Sequence, residues 1–475
     1  MKTRIGVLVT LSLTLTLTST GICQRFDHDF TGATMRLDFY HTGSTSQEYI
    51  SLDRTLIEGP WAGSRTHLID QSNLGKYFFE VVDLGTNRTL YSQGFSSIYG
   101  EWETTAKAKR EAFRTLPEGI RFPEPRRPVQ IRLRKRGPDQ SFLEIWSTQI
   151  EPTSRFVARP AIDSRDILLL AENGLPSRQV DLLLLGDGYT RKERREFERD
   201  AKRFMKELFS VEPFGSRRND FTLRAIFVPS AESGISRPRA GVFHNTPLGT
   251  SYNSLDSERY ILSVEDRKWR DIAAAAPHDF VIILVNNQKY GGGGIYRLYA
   301  TAAASSDFSS YLFVHEFGHS FAGLADEYYT SDVAYEDFIP ANTEPWEPNI
   351  TSLLDPGSLK WSELVQEGTP IPTSWSKKEY EEASRSFEER RRKLWAKGAS
   401  EEALEHLFEE QRSHFFQMLS TQEHSTAVGA FEGASYQAKG LFRPEISCIM
   451  FSRSEKGFCR VCRQAIDRAI DLQVK

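Results

Sequence analysis

The stretch Val314-His315-Glu316-Phe317-Gly318-His319-Ser320-Phe321-Ala322-Gly323-Leu324-Ala325-Asp326-Glu327 decides how the rest of this 475-residue chain is read. Its two histidines stand at i and i+4, one above the other on one face of an α-helix, with a glutamate just beside that face. This H-E-x-x-H spacing puts two imidazoles on one ion and a carboxylate next to the attacking water, so it predicts a hydrolytic zinc site with His315 and His319 as ligands and Glu316 as general base. Phe313, Phe317 and Phe321 repeat at the same interval, roughly 200° around the helix. One face is therefore core and the other chemistry. Gly323 is placed to end the helix in a left-handed turn, which returns the chain so that Asp326 or Glu327 reaches a third ligand position. Catalytic zinc takes three protein ligands and keeps a fourth place for water. Asp326 is the preferred third ligand, because in extended chain its neighbour Glu327 points the other way. The bland alternative is a chance match, with both histidines merely hydrogen-bonded in a core. Helical phase, glycine turn and acidic pair together favour the metal.

The longer pattern H-E-x-x-H-x-x-G-x-x-H is not met, since Gly323 is the fourth residue after His319 and Asp326 the seventh. The composition, 39% hydrophobic and 26% charged, is that of an ordinary globular protein with room for two or three domains. A formal net charge of −4 gives no reason to expect nucleic acid or an anionic membrane surface as a partner. Lys2 and Arg4, an apolar run from Ile5 to about Leu17 and small or polar residues up to Cys23 form a secretory signal over 1–23. Ile22 stands where a lipoprotein signal wants a small residue, so cleavage after Cys23 and an extracellular or periplasmic mature protein are expected. No later run reaches the ~20 apolar residues that span a bilayer, which argues against stable membrane insertion. Cys448, Cys459 and Cys462 then remain. An oxidising compartment favours one disulfide, joining Cys448 to Cys459 or Cys462. A structural metal held by three cysteines and a histidine is disfavoured, because no histidine lies beyond His424.

Residues 24–155 read as an all-β sandwich. Met35, Leu37 and Phe39 alternate with Arg36, Asp38 and Tyr40, and Val129, Ile131 and Leu133 alternate with polar residues, so each strand has one dry face. The arginines around Arg132-Leu133-Arg134-Lys135-Arg136 belong on a wet face. No reactive pattern appears in this half, and it is expected to be separable. Residues 160–475 read as an α/β catalytic domain. Leu182 to Leu185 suits a strand covered on both faces. Thr190 and Glu193 form a capping box for a helix with Phe197, Ala201, Phe204 and Leu208 in one stripe. Gly291-Gly292-Gly293-Gly294 lacks dinucleotide-loop spacing and is better read as a strand edge near the cleft. Residues 375–420 are a charged helical insertion, most simply a solvated hairpin. Asn87-Arg88-Thr89 and Asn349-Ile350-Thr351 fit the glycosylation pattern.

The chain resembles the IgA-peptidase family of secreted bacterial zinc metallopeptidases over nearly its whole mature length. The likeness is carried by Leu37-Asp38-Phe39-Tyr40-His41-Thr42-Gly43, Tyr91-Ser92-Gln93-Gly94-Phe95 and Gly100-Glu101-Trp102-Glu103-Thr104 in the first half. In the second half it rests on Gly186-Asp187-Gly188-Tyr189-Thr190, His315 to Tyr328, Gly429-Ala430-Phe431-Glu432-Gly433-Ala434 and Lys439-Gly440-Leu441-Phe442-Arg443-Pro444. The resemblance implies a β-sandwich followed by an α/β (α+β), metzincin-like catalytic domain. It also implies Zn2+ on His315, His319 and Asp326, Glu316 as the catalytic carboxylate, and a methionine turn at Cys448-Ile449-Met450. Ser452 stands where many such folds carry an oxyanion-supporting tyrosine, which leaves Tyr328 and Tyr329 as candidates. Hydrolysis of protein or peptide substrates is the expected activity. Two rivals are a secreted glycan- or matrix-binding protein that acts through its sandwich and a zinc amidase acting on cell-wall peptides.

Overall fold

The computed structural model describes residues 26–330, 339–340, 342–453 and 457–474, so the signal segment 1–23 lies outside the described residues. A short helix α1 (Phe26–Asp29) leads into β1 (Phe30–Gly43), and β2 (Glu48–Pro60), β3 (Tyr77–Asp83) and β4 (Thr89–Phe95) follow. Two short helices, α2 (Ile98–Trp102) and α3 (Ala106–Lys109), connect to β5 (Arg114–Pro125), β6 (Val129–Arg136), β7 (Phe142–Ile150) and β8 (Val157–Ala158). These strands form two four-stranded sheets, ordered β5-β1-β2-β8 and β4-β3-β6-β7. Met35, Leu37 and Phe39 of one sheet and Phe79, Val81, Ile131 and Leu133 of the other are buried in one apolar cluster, the packing expected of two half-dry sheets face to face.

The second half is an α/β domain around a six-stranded sheet. Its strands are β9 (Ile167–Ala171), β10 (Val180–Asp187), β11 (Phe221–Ile226), β14 (Phe280–Val285), β15 (Gly292–Ile295) and β16 (Tyr299–Ala303), in the order β15-β16-β14-β10-β11-β9. A small separate pair, β12 (Thr250–Ser251) and β13 (Leu262–Ser263), lies between β11 and β14 in the chain. The four inner strands are parallel, and β9 and β15 run antiparallel at the two edges. The helices are α4 (Arg194–Leu208), α5 (Asp266–Ala273), α6 (Ser309–Ala322), α7 (Lys377–Ala396), α8 (Glu401–Ser420) and α9 (Arg460–Val474). The hairpin β17 (Phe431–Ala434) and β18 (Gln437–Arg443) precedes the last helix. The Thr190–Glu193 capping box starts α4, whose buried stripe is Phe197, Ala201, Phe204 and Leu208.

Strand β10 is buried along its entire length, and its alternation sorts two cores. Leu182 and Leu184 join the cluster built on α4, α6 and α9. Leu183 and Leu185 join the cluster that also contains the sandwich interior, together with Val281, Ile283, Val285, Trp269 and Ile272. The sandwich shares a contiguous apolar cluster with one face of the catalytic sheet, and removing it would expose that face.

The same interface corrects the reading of β1. Arg36 and Asp38, expected on a wet face, are 0% and 1% exposed. Arg36 pairs with Asp38 and Glu58 within the sandwich and with Asp271 of α5, while Arg121 donates to Glu58 and to the carbonyl of His278. Alternation identified the two faces correctly, but the second domain dries the polar one. Arg132 and Arg134 do stay partly exposed at the other sheet. Asn349 is wholly buried, so it is a structural asparagine and not a surface glycosylation site.

Candidate active site

Helix α6 carries the histidines, and the phase read from the sequence holds. Phe313, Phe317 and Phe321 are buried against Phe204, Phe214 and Phe280. The helix ends at Gly323, whose φ of 65° is the left-handed region, and its N–H donates to the carbonyls of Gly318 and His319. The chain then returns, and the structure brings His315, His319 and Asp326 together. His315 Nε2 and His319 Nε2 are 3.1 Å apart. Asp326 Oδ1 lies 3.0 Å from the first and 3.3 Å from the second. A carboxylate oxygen of Glu316 lies within 4.8 Å of a ring nitrogen of each histidine.

The outer contacts fix the tautomers. His315 Nδ1 donates to the carbonyl of Ile449 at 3.0 Å, and His319 Nδ1 to that of Leu324 at 2.5 Å. With Nδ1 committed to a carbonyl, the neutral form of each ring turns its Nε2 lone pair inward, the arrangement that metal-binding imidazoles use. Asp326 Oδ2 accepts a short hydrogen bond from the Tyr436 hydroxyl, whereas the buried Oδ1 has no hydrogen-bond donor among the described residues. Three lone pairs thus converge on one point with separations of 3.0–3.3 Å. A tetrahedral zinc with N and O ligands at 2.0–2.2 Å requires edges of about 3.3–3.5 Å, so the donor set fits such an ion.

Charge points the same way. Burial pushes the Asp326 carboxyl up, but the imidazoles of His319 and His315 reverse this and hold it well below the usual carboxylate range. Burial lowers the His319 imidazole, and the Asp326 and Glu316 carboxylates overcome that, pushing it up to about 9. The pocket favours a positive charge at its centre. Burial also raises the Glu316 carboxyl above the ordinary glutamate range, against the pull of both histidines.

Several supporting residues left no signal in the sequence. Tyr436 occupies a two-residue hairpin turn in which Ser435 and Tyr436 have φ of 44° and 65°, a conformation glycine and asparagine normally supply. That turn donates its backbone N–H groups to the carbonyls of Asp326 and Tyr328, so local strain is held in place where it positions a ligand. Asn349 clamps the neighbouring residue, accepting from Ala325 N and donating to the Ala325 carbonyl and to Glu327 Oε1. Of the two tyrosine candidates, Tyr328 lines the cleft and its ring stacks on that of His315 at 6.3 Å. Tyr329 is buried and packs on Tyr380. Glu327 turns away from the histidines altogether, toward Cys459 and Cys462.

The histidines open into a cleft of about 700 Å³ with walls from three parts of the molecule. Edge strand β15 lies so close to α6 that a Cβ on Gly294 would stand 2.2 Å from the carbonyl of Glu316. Only glycine allows that approach. The sandwich contributes Glu101, Glu103, Lys135 and Arg136, and Tyr260 donates to Glu101 at 2.5 Å across the domain boundary. The charged hairpin contributes Tyr380 from α7 and Gln411, Arg412, Phe415, Phe416 and Leu419 from α8. The sandwich, read from sequence as remote from the chemistry, and the insertion, read most simply as a solvated hairpin, are both walls of the cleft.

The family profile described as IgA Peptidase M64 matches residues 168–470, and the profile Peptidase M64 N-terminus matches residues 25–147. The chain belongs to the IgA peptidase M64 family. This M64 peptidase is therefore a metallopeptidase in general kind, and its substrates are proteins or peptides. None of the curated proteins compared with it matches. Among the described residues of the M64 chain, no helix is long and apolar enough to cross a membrane.

Proposed function

We propose that this M64 peptidase is a secreted, zinc-dependent endopeptidase that hydrolyses internal bonds of extended protein segments. The observation that carries the reading is the convergence of His315 Nε2, His319 Nε2 and Asp326 Oδ1 on one point beside Glu316. A bound zinc supplies Lewis acidity, polarising the scissile carbonyl and making water a better nucleophile near neutral pH. Glu316 accepts the proton of the attacking water and passes it to the leaving amine, and its raised affinity for protons suits that relay. Tyr436 holds Asp326, and the Ile449 and Leu324 carbonyls hold the two rings. Strand β15 lies at the sheet edge and against α6; Gly292 already pairs outward with Arg259 and Ile261, so it is the backbone at Gly294, which lines the cleft, that is offered to a substrate strand. Tyr328 is the nearest candidate for stabilising the developing oxyanion. Cleavage of immunoglobulin A rests on the family's name alone.

The test is digestion of an unbiased peptide library by the full chain, with and without a chelator, together with metal analysis of the same sample. Cleavage that chelation abolishes and zinc restores supports the reading. Undiminished cleavage after the metal has been stripped overturns it.

A further inference from the structure

The three cysteines were expected to form one disulfide, yet all three are free and buried in this structure. Their sulfurs surround a second point, and a fourth acidic group faces it. Cys448, Cys459, Cys462 and Glu327 each bring one donor atom within 4.8 Å of the others, and no member is more than 4% exposed. We propose that this Cys3Glu pocket is a second, structural metal site that holds a zinc-class divalent ion, separate from the imidazole site.

Geometry supports a tetrahedral S3O centre. With Zn–S near 2.3 Å and Zn–O near 2.1 Å, ligand edges should be about 3.8 Å between sulfurs and about 3.6 Å between sulfur and oxygen. Cys448 Sγ and Cys462 Sγ are 3.8 Å apart, and Glu327 Oε1 lies 3.3 Å from Cys462 Sγ and 3.9 Å from Cys459 Sγ. Backbone N–H groups also point at two of the sulfurs. Cys448 Sγ accepts the N–H groups of Met450 and Cys459 at 3.5 and 3.3 Å, and Cys459 Sγ accepts that of Cys462 at 3.4 Å. Cys459 precedes the first residue of α9 and Cys462 lies in its first turn, where the helix end favours negative charge.

Two orphaned groups point to the same conclusion. Glu327 is 0% exposed, and among the described residues its Oε2 has no hydrogen-bond partner, which a buried carboxylate rarely tolerates. Arg443 is likewise 0% exposed, with Nε and Nη2 unpartnered among the described residues, and its charge acts on Glu327 and Cys448. A neutral cluster of thiols and carboxylic acid would leave that guanidinium without a counter-charge. An anionic thiolate–carboxylate centre around a divalent ion provides one. The fourth ligand escapes a local reading because Glu327 stands 135 residues before Cys462.

The pocket joins the return loop after α6, the turn at residues 448–450 and the start of α9. Glu327 N donates to the Met450 carbonyl, beside the Ile449 carbonyl that orients His315. An ion there would brace the segment that carries Asp326.

The test uses the full chain, purified without chelator or added thiol and supplied with zinc. The wild type should carry about two ions per chain, and the His315→Ala/His319→Ala variant, which removes both imidazoles, about one. Cobalt substituted into that variant should show sulfur-to-metal charge-transfer absorption in the near ultraviolet, and its three thiols should react only after chelation. Adding Cys459→Ser and Cys462→Ser should remove the remaining ion, and the cobalt spectrum decides the matter even if that variant fails to fold. A folded His315→Ala/His319→Ala chain that binds no ion, or peptide mapping that finds a disulfide among the three cysteines, overturns the proposal. If instead the imidazole site holds no metal, the wild type carries one ion that survives loss of both histidines, so the two readings fail separately.

Discussion

Asp326 and Glu327 are consecutive carboxylates in opposite surroundings. Asp326 faces two imidazoles at the floor of an open cleft, whereas Glu327 faces three thiols in a closed pocket. The two side chains point to opposite sides of the return segment, and they are held by the Tyr436 hydroxyl on one side and Asn349 on the other. Ligand type follows access: nitrogen and oxygen donors stand where a substrate must enter, sulfur where nothing needs to. An open position serves chemistry and a closed shell serves stability.

The most direct way to break the contrast is to remove each carboxylate in turn. Asp326→Ala should abolish measurable peptidase activity and empty the imidazole site, with little change in thermal midpoint. Glu327→Ala should keep an ion on the imidazoles but lower the midpoint by about 5–10 °C, as expected when a structural metal is lost from a large domain. Metal analysis and calorimetry of both variants check this, and equal effects on activity and stability in the two would erase the distinction. Next in size is Glu316→Gln, expected to lower kcat by about 10²–10⁴-fold with metal content unchanged, because the group moves protons and is not a ligand. Steady-state kinetics beside metal analysis reads that result. Tyr436→Phe, which removes one hydrogen bond behind Asp326, should cost about 10–100-fold in activity or in affinity for the imidazole-site metal, and metal titration decides which. The smallest expected effect is at the cleft wall, where Phe416 is 54% exposed. Phe416→Ala should raise KM by about 3–10-fold on long peptides and leave very short ones untouched, the loss of one apolar contact.

The catalytic helix was legible because its signals are local: histidine spacing, the phenylalanine stripe and the Gly323 stop all lie within one element. Strand β10 was legible for the related reason that four successive leucines have no polar side to turn outward. What could not be read depends on distant parts meeting. Arg36 and Asp38 alternate as solvent-facing residues do, and only α5 arriving over them makes that face dry. Tyr436 stands in a turn whose backbone conformation is unusual for its residue types, so no turn motif announced it. The cysteines suggested a disulfide because a fourth ligand was sought as a nearby histidine. It came instead as a glutamate from the middle of the domain, 135 residues before Cys462. The charged hairpin looked like plain surface since its inner residues, Tyr380 and Phe415 among them, are a minority in a sequence dominated by charge.

The buried arginine at the domain boundary bears on how the chain is made. Synthesis delivers the sandwich first, with its future partner surface still in water until residues 266–273 emerge from the ribosome. Were that surface wholly apolar, the nascent half would be prone to self-association during the wait. Arg36 already has Asp38 and Glu58 from its own half, so it can stay neutralised and hydrated before Asp271 arrives to complete the set. The ion cluster thus gives this boundary a polar part that water can solvate until the later half takes the place of water.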